Sequence, residues 1–151
     1  MSDIQERQLP QPEFYQSSNF DWQFLRNRKM YIHHTIQGTA AATAGNYGVF
    51  WVAPFACSIV NIQEVHQTAG SDAGSVTLDI EKLTGTQALD AGVTVTNTAV
   101  SLKGTANTVT TASLSSTLSS KQLSAGDRLA MKDTGVLTVV NNVTVIIEIK
   151  F

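Results

Sequence analysis

Few side chains in this 151-residue sequence could serve as nucleophile, base or metal ligand: three histidines, one cysteine and twelve carboxylates. His33 and His34 are neighbours in a β-type run, Met30–Ile36, so their side chains leave opposite faces and cannot share one metal within a chain. Only a symmetric oligomer, gathering copies of one of them around an axis, would make a site there. His66 closes an apolar run and reads as a surface or turn residue. Cys57 follows Pro54-Phe55-Ala56 and reads as a small buried core thiol, since neither a helix N-terminus nor a local base marks it as a nucleophile. Asp79 and Glu81 share one face of an alternating strand. That spacing could pair two carboxylates, but an exposed strand carries such charges for solubility. Asp72 lies in a Gly/Ser loop without the spaced oxygen ligands of a calcium loop. Asp127, beside Arg128 at a corner, is suited to capping turn amides. No G-x-S-x-G, no phosphate-cradling glycine loop and no paired-histidine motif occurs. The reading is a non-enzyme with no cofactor and no metal, whose function lies in its surfaces.

Composition narrows the class further. The formal net charge is -2 and 15% of residues are charged. That is no basic excess, so direct nucleic-acid binding is not expected. Abundant Thr, Ser, Ala and Val favour an all-β domain. The single cysteine excludes an intrachain disulfide and any multi-cysteine metal site, and suits folding in a reducing cytoplasm. MSDIQERQLP at the start has no signal-peptide core, and no apolar run approaches the roughly 18 residues of a membrane span. No membrane association is expected.

The elements that must position these residues centre on Tyr47–His66, YGVFWVAPFACSIVNIQEVH. Val49, Phe50, Trp51 and Val52 are consecutive, so an extended segment there is apolar on both faces and calls for cover on both sides. One face must look into a core; in so short a chain the other has a second subunit as its candidate cover. Pro54 breaks the ladder, and Cys57–His66 forms the next strand. Val76–Leu83 alternates cleanly, with Val76, Leu78 and Ile80 inward and Thr77, Asp79 and Glu81 to solvent. LTGT at Leu83–Thr86 and LKGT at Leu102–Thr105 echo each other as turns in which Gly takes positive φ. Thr96–Leu102 and the Thr/Ser-rich Thr108–Leu118 are weaker strands, the latter at an edge. Arg128–Lys132 follows a corner at Gly126-Asp127. Val143–Phe151 ends the chain with Val143, Val145, Ile147, Ile149 and Phe151 on one face. The sum is roughly eight strands with no convincing helix, a single β-sandwich or jelly roll spanning residues 30–151.

Residues 1–29 differ. Gln, Pro and charge dominate the first thirteen, and Pro10 and Pro12 favour an extended path. Phe14, Tyr15, Phe20, Trp22 and Phe24 follow without a period of two, an aromatic density foreign to disordered tails. This extended N-terminal arm gains order by burying those rings, either on its own domain or on a partner, where aromatics supply much binding energy. Arg26, Arg28 and Lys29 close the arm as a solvated hinge or as contacts to carboxylates.

The segments AGNYGVFWVAPFACSIVNIQEVHQTAG, VTLDIEKLTGT, LKGTANTV and LSAGDRLAMKDTG resemble small β-structured virion proteins of tailed bacteriophages. These include head decoration (cement) proteins and head-spike or fibre base proteins. The resemblance covers roughly Ala44–Phe151 and leaves the arm out. It implies a jelly-roll-like domain, a homotrimer on the outer surface of a phage head, bound where major capsid protein subunits meet and stabilising the shell. An extended 29-residue arm spans on the order of 90 Å, enough to cross between capsomers. On this reading Phe50 and Val52 are candidates for the face that meets a sister subunit, with Val49 and Trp51 turned to the core, although alternation alone allows either parity. A head-spike, fibre base or tail structural protein would need the same trimeric core, and a carbohydrate-binding module would need aromatics on a rigid sheet face.

Overall fold

Val143, Val145, Ile147 and Ile149, buried in alternation with Thr144, Ile146, Glu148 and Lys150, make the central strand on which one sheet is built. β-Branched residues at a period of two fit a pleated, half-covered surface. The structure, a computed structural model, describes residues 28–36 and 48–151. In chain order the strands are β1 (Lys29–Ile36), β2 (Gly48–Val52), β3 (Cys57–Val65), β4 (Thr77–Leu83), β5 (Val93–Thr94), β6 (Val100–Ser101) and β7 (Thr110–Thr111). One helical turn, α1 (Leu118–Lys121), precedes β8 (Gln122–Leu123), β9 (Arg128–Thr134) and β10 (Val143–Lys150).

Two antiparallel sheets face each other. One runs β1-β10-β3 and ends on β7 and β8, which both pair with β3; the other runs β2-β9-β4 and ends on β5 and β6, which both pair with β4. Taking β5/β6 and β7/β8 as two interrupted strands, ten strands occupy eight positions. First pairs with eighth, second with seventh, third with sixth and fourth with fifth. That is one long antiparallel hairpin rolled into a sandwich, the jelly-roll arrangement expected from the sequence. The interruptions explain why the Thr96–Leu102 and Thr108–Leu118 segments alternate so weakly. They hold only two-residue ladders and, between those ladders, turn toward each other, Thr96 bridging to Leu114. There Asn97 N donates to Ser113 O (2.7 Å) and Ser115 N to Val95 O (2.9 Å), stitching the two sheets together along that edge.

The core lies between the sheets and includes Ile32, Ile59, Ile62, Leu78, Ile80, Leu129, Met131, Val145, Ile147 and Ile149. Each such side chain contributes about 1.5–3 kcal/mol by leaving water. Two β-bulges decide which residues join it. In β3 the register passes from Ile149↔Ile59 to Glu148↔Asn61, leaving Val60 as the extra residue. Inward parity therefore switches from Cys57 and Ile59 to Ile62 and Glu64. In β2 it passes from Val49↔Ala130 to Trp51↔Leu129, leaving Phe50 as the extra residue. A bulge re-aims side chains and breaks strict alternation, and both switches bear on the candidate site.

At Gly135 the missing side chain is indispensable. Its φ is +94°, and a Cβ there would lie 1.8 Å from Ser75 O. Of the two echoed turns, Gly85 takes positive φ (+52°) but Gly104 does not.

Candidate functional site

The chemically able side chains are dispersed. His33 is exposed on the outer face of β1, whereas His34 points inward and stacks on Phe50, ring centroids 4.7 Å apart and planes 16° from parallel. Burial pushes the His34 imidazole below its usual range. Cys57 is buried; desolvation, and secondarily the charge of Asp127, push its thiol up, away from nucleophilic behaviour. It borders an open cavity of about 350 Å³ beside Leu123, Lys150 and Phe151.

Asp79 accepts from Ile80 N (2.8 Å) and from the Thr96 hydroxyl. Glu81 corrects the reading of a solvated charge. It is 5% exposed and accepts from Gly92 N (2.6 Å) and Asp90 N (3.1 Å), clamping the β4–β5 loop over the outside of its sheet. The two carboxylates are thus backbone acceptors and not an acid/base pair. Asp127 caps its turn as expected, accepting from Ser124 N at 2.8 Å, and Asp72 Oδ2 accepts from the Thr138 hydroxyl. Among the described residues no group of three or more His, Cys, Asp or Glu could hold a metal.

His66 overturns its reading as a surface residue. Its side chain and that of Glu64 are both fully buried, with His66 Nδ1 2.8 Å from Glu64 Oε1. The Val60 bulge is the cause, since without it Glu64 and His66 would continue the outward parity of β3.

The surface offers a better-defined feature. The extra residue at Phe50 lets two successive aromatics, Phe50 and Trp51, pack against the core. Val49 and Val52, opposite Ala130 and Arg128, face outward and are 42% and 53% exposed. Phe55, beyond β2, is 43% exposed and meets Phe151 edge-on at 4.4 Å. So the run Val49–Val52 is inward at its centre and outward at both ends, and the outward valines lack cover among the described residues. Among the described residues β1 and β2 lie at the edges of their sheets, each with a ladder partner on one side only. The edge they form is closed by the His34–Phe50 stack, in contrast to the backbone-stitched edge opposite.

The arm residues Phe14, Tyr15, Phe20, Trp22, Phe24 and Arg26 lie outside the described residues, as do 37–47. Arg28 is exposed, and its carbonyl accepts from Phe151 N at 3.3 Å. The arm therefore joins the domain beside Phe55 and Phe151. Sequence reasoning missed Val49 and Phe55 as surface features. The only hint was the choice of two aromatics flanked by valines, where plain alternation would have mixed the two.

No protein-family model matches the chain, and no curated protein matches it by sequence. Two solved structures match its fold. A chain of the Cyanophage Pam1 capsid asymmetric unit superposes with a TM-score of 0.58 at 12% identity, covering 100% of this chain and 97% of that one. A chain of the capsid of Ralstonia phage GP4 gives 0.59 at 15% identity, covering 82% of this chain and 84% of that one. At these identities the likeness is one of fold. Among the described residues no helix is long and apolar enough to cross a membrane.

Proposed function

We propose that this chain is a structural virion protein of a tailed bacteriophage, a capsid decoration (cement) protein. It binds as a homotrimer to the outer surface of the head, at junctions of major capsid protein subunits, and stabilises the shell. The observation that carries the reading is the end-to-end likeness in fold to a chain of a phage capsid asymmetric unit. A jelly roll whose carboxylates at Asp79, Glu81 and Asp127 serve structural bonds, and with exposed valines on an edge strand, is consistent with work done by surfaces.

In this reading the outward side of β2 meets a sister subunit. Val52 supplies the exposed contact, and Phe50, locked on His34, sets the strand's shape. The arm, residues 1–29 with Phe14, Tyr15, Phe20, Trp22, Phe24, Arg26 and Arg28, docks on the shell. The protein has no enzymatic role, needs no cofactor, and contacts neither nucleic acid nor membrane directly. The test is to image particles assembled with full-length protein, with protein lacking residues 1–29, and without either. Density over capsid-subunit junctions that full-length protein restores and the truncated protein restores only weakly is the expected result. Density confined to a single vertex or to the tail would instead favour a spike, fibre base or tail role.

A further inference from the structure

Glu64 and His66 lie where β3 meets the connection from β6 to β7, at the end of the sandwich away from Arg28. Three backbone bonds fasten that connection: Leu102 N to Val76 O (2.9 Å), Gly70 N to Leu102 O (2.8 Å) and Asn107 N to His66 O (2.8 Å). Side chains fasten it too, among them His66, whose Nε2 lies 3.2 Å from Gly104 O. A carbonyl only accepts, so Nε2 carries a hydrogen. Nδ1 then faces Glu64 Oε1 at 2.8 Å with neither atom exposed. With no proton between them, two acceptors would oppose each other inside the protein. With two, an O–H would have to sit on Oε2, which is buried and has no hydrogen-bond partner among the described residues. One proton, and only one, satisfies the geometry, whichever of the two atoms it lies nearer.

We propose that Glu64, His66 and the Gly104 carbonyl form a single-proton latch that holds the 102–109 connection onto the end of the sandwich and makes that end sensitive to pH in both directions. Burial pushes the Glu64 carboxyl up while the hydrogen bond and charge of His66 pull it down, and these are the influences acting on it. Other titratable groups nearby are separately placed. His34 shares the inner row two strands away across Val145, about 10 Å distant. Asp133 lies inward on β9 in the opposite sheet, its carboxyl raised by burial. Lys103 in the connection donates to Asp72 O and Gly74 O. The residues paired with Glu64 on β10 and β7, Val145 and Thr110, carry no charge.

The sign follows from counting protons. Unfolded, the two side chains titrate near their free values, about 4.3 for Glu and about 6.5 for His. They hold no shared proton above the higher value, one between the two, and two below the lower. By its geometry the intact latch holds one. Above about pH 6.5 the folded state holds the extra proton, so its stability falls up to tenfold per pH unit as pH rises, until the latch itself deprotonates. Below about pH 4.3 the unfolded state holds more, and stability falls again on acidification.

The experiment is urea unfolding of the full-length protein and of Glu64→Gln from pH 4 to 9. Native-state exchange protection of the Asn107 and Gly70 amides is measured alongside. In the variant the introduced side-chain amide donates to Nδ1 of a neutral imidazole and Nε2 still donates to Gly104, so no added proton is needed. The ratio of wild-type to variant folding constants should fall roughly tenfold per unit from about pH 6.5 upward. It should rise in favour of the wild type as pH drops from about 6.5 to 4.3, where the variant's imidazole must take up a proton on unfolding. Parallel pH profiles for the two proteins would overturn the latch. Should the variant fail to fold, nitrogen chemical shifts of the wild-type His66 ring decide the matter. A protonated Nε2 throughout the folded range supports the latch, and a bare Nε2 refutes it.

Discussion

Val52→Asp separates the two structural roles within one apolar run. Val52 is 53% exposed and stands opposite Arg128 on an edge strand. In the isolated subunit the aspartate stays in water, so stability should change by no more than about 0.5 kcal/mol. In the proposed trimer the outward half of Val52 is covered. Fully burying a valine is worth about 1.5–3 kcal/mol, so half contributes about 1 kcal/mol per subunit and about 3 kcal/mol over three copies. That alone weakens the trimerisation constant by about two orders of magnitude, and an unpaired carboxylate in a closed interface costs several kcal/mol more. Phe50→Ala should do the reverse. Phe50 stacks on His34 and packs on the core, so its loss should lower subunit stability by about 2 kcal/mol, somewhat under the cost of a fully buried Phe. Sedimentation equilibrium at micromolar concentration reads association, and urea unfolding reads stability. A Val52→Asp protein that remains trimeric with an unchanged constant would remove the outward face of β2 from the interface, and a monomeric wild type would remove the interface altogether.

Three further outcomes test the fold's supports. Ile147→Ala, at a fully buried position of the central strand, should cost about 2–5 kcal/mol by urea unfolding. Gly135→Ala combines a left-handed backbone, worth about 1–2 kcal/mol, with an approach of 1.8 Å to Ser75 O. It should destabilise by at least that range, and a melting temperature unchanged from wild type would contradict the turn geometry. Cys57 should resist thiol reagents at pH 8 in the native protein and react at the ordinary rate once denatured, because burial raises its thiol and shields it.

The all-β class and most of the strand set were legible because β1, β4, β9 and β10 are long enough for alternation to speak. Val143–Ile149 and Val76–Ile80 orient as their periodicity demands. His66 reads as a surface residue from its place at the end of a strand, and alternation leaves the parity of Val49–Val52 open. In the structure a one-residue bulge at Val60 carries Glu64 and His66 inward, and one at Phe50 sends two aromatics the same way. A bulge inserts a residue without a composition of its own, so a period-two reading passes through it and assigns every later residue to the opposite face. Glu81 was misplaced for a different reason. Its parity was read properly, but the loop that covers it is recruited by its own carboxylate, a tertiary bond that no local pattern announces. The short ladders β5 to β8 fell below the length at which alternation distinguishes a strand from a loop.

The site where the arm joins bears on how a tether could work. Arg28 leads directly into β1, which pairs with β10 through eight consecutive registers from Lys29↔Lys150 to Ile36↔Val143, and β10 pairs in turn with β3. In the proposed role a load on the arm pulls β1 along its own axis. All eight pairs then bear it together in shear, whereas a pull across the strand would open them one at a time. Met30, Ile32 and Ile36 face inward on the same strand and join the core, so sliding β1 also means withdrawing these side chains from it. The Phe151 amide bonded to the Arg28 carbonyl holds the exit point against the sheet. Substituting Ile32 by Ala should therefore lower the force at which an arm-attached domain yields in single-molecule pulling. Val139→Ala, on an exposed residue at the far end of the sandwich, should leave it unchanged. Equal yield forces for the two variants would show that the load is not carried by β1.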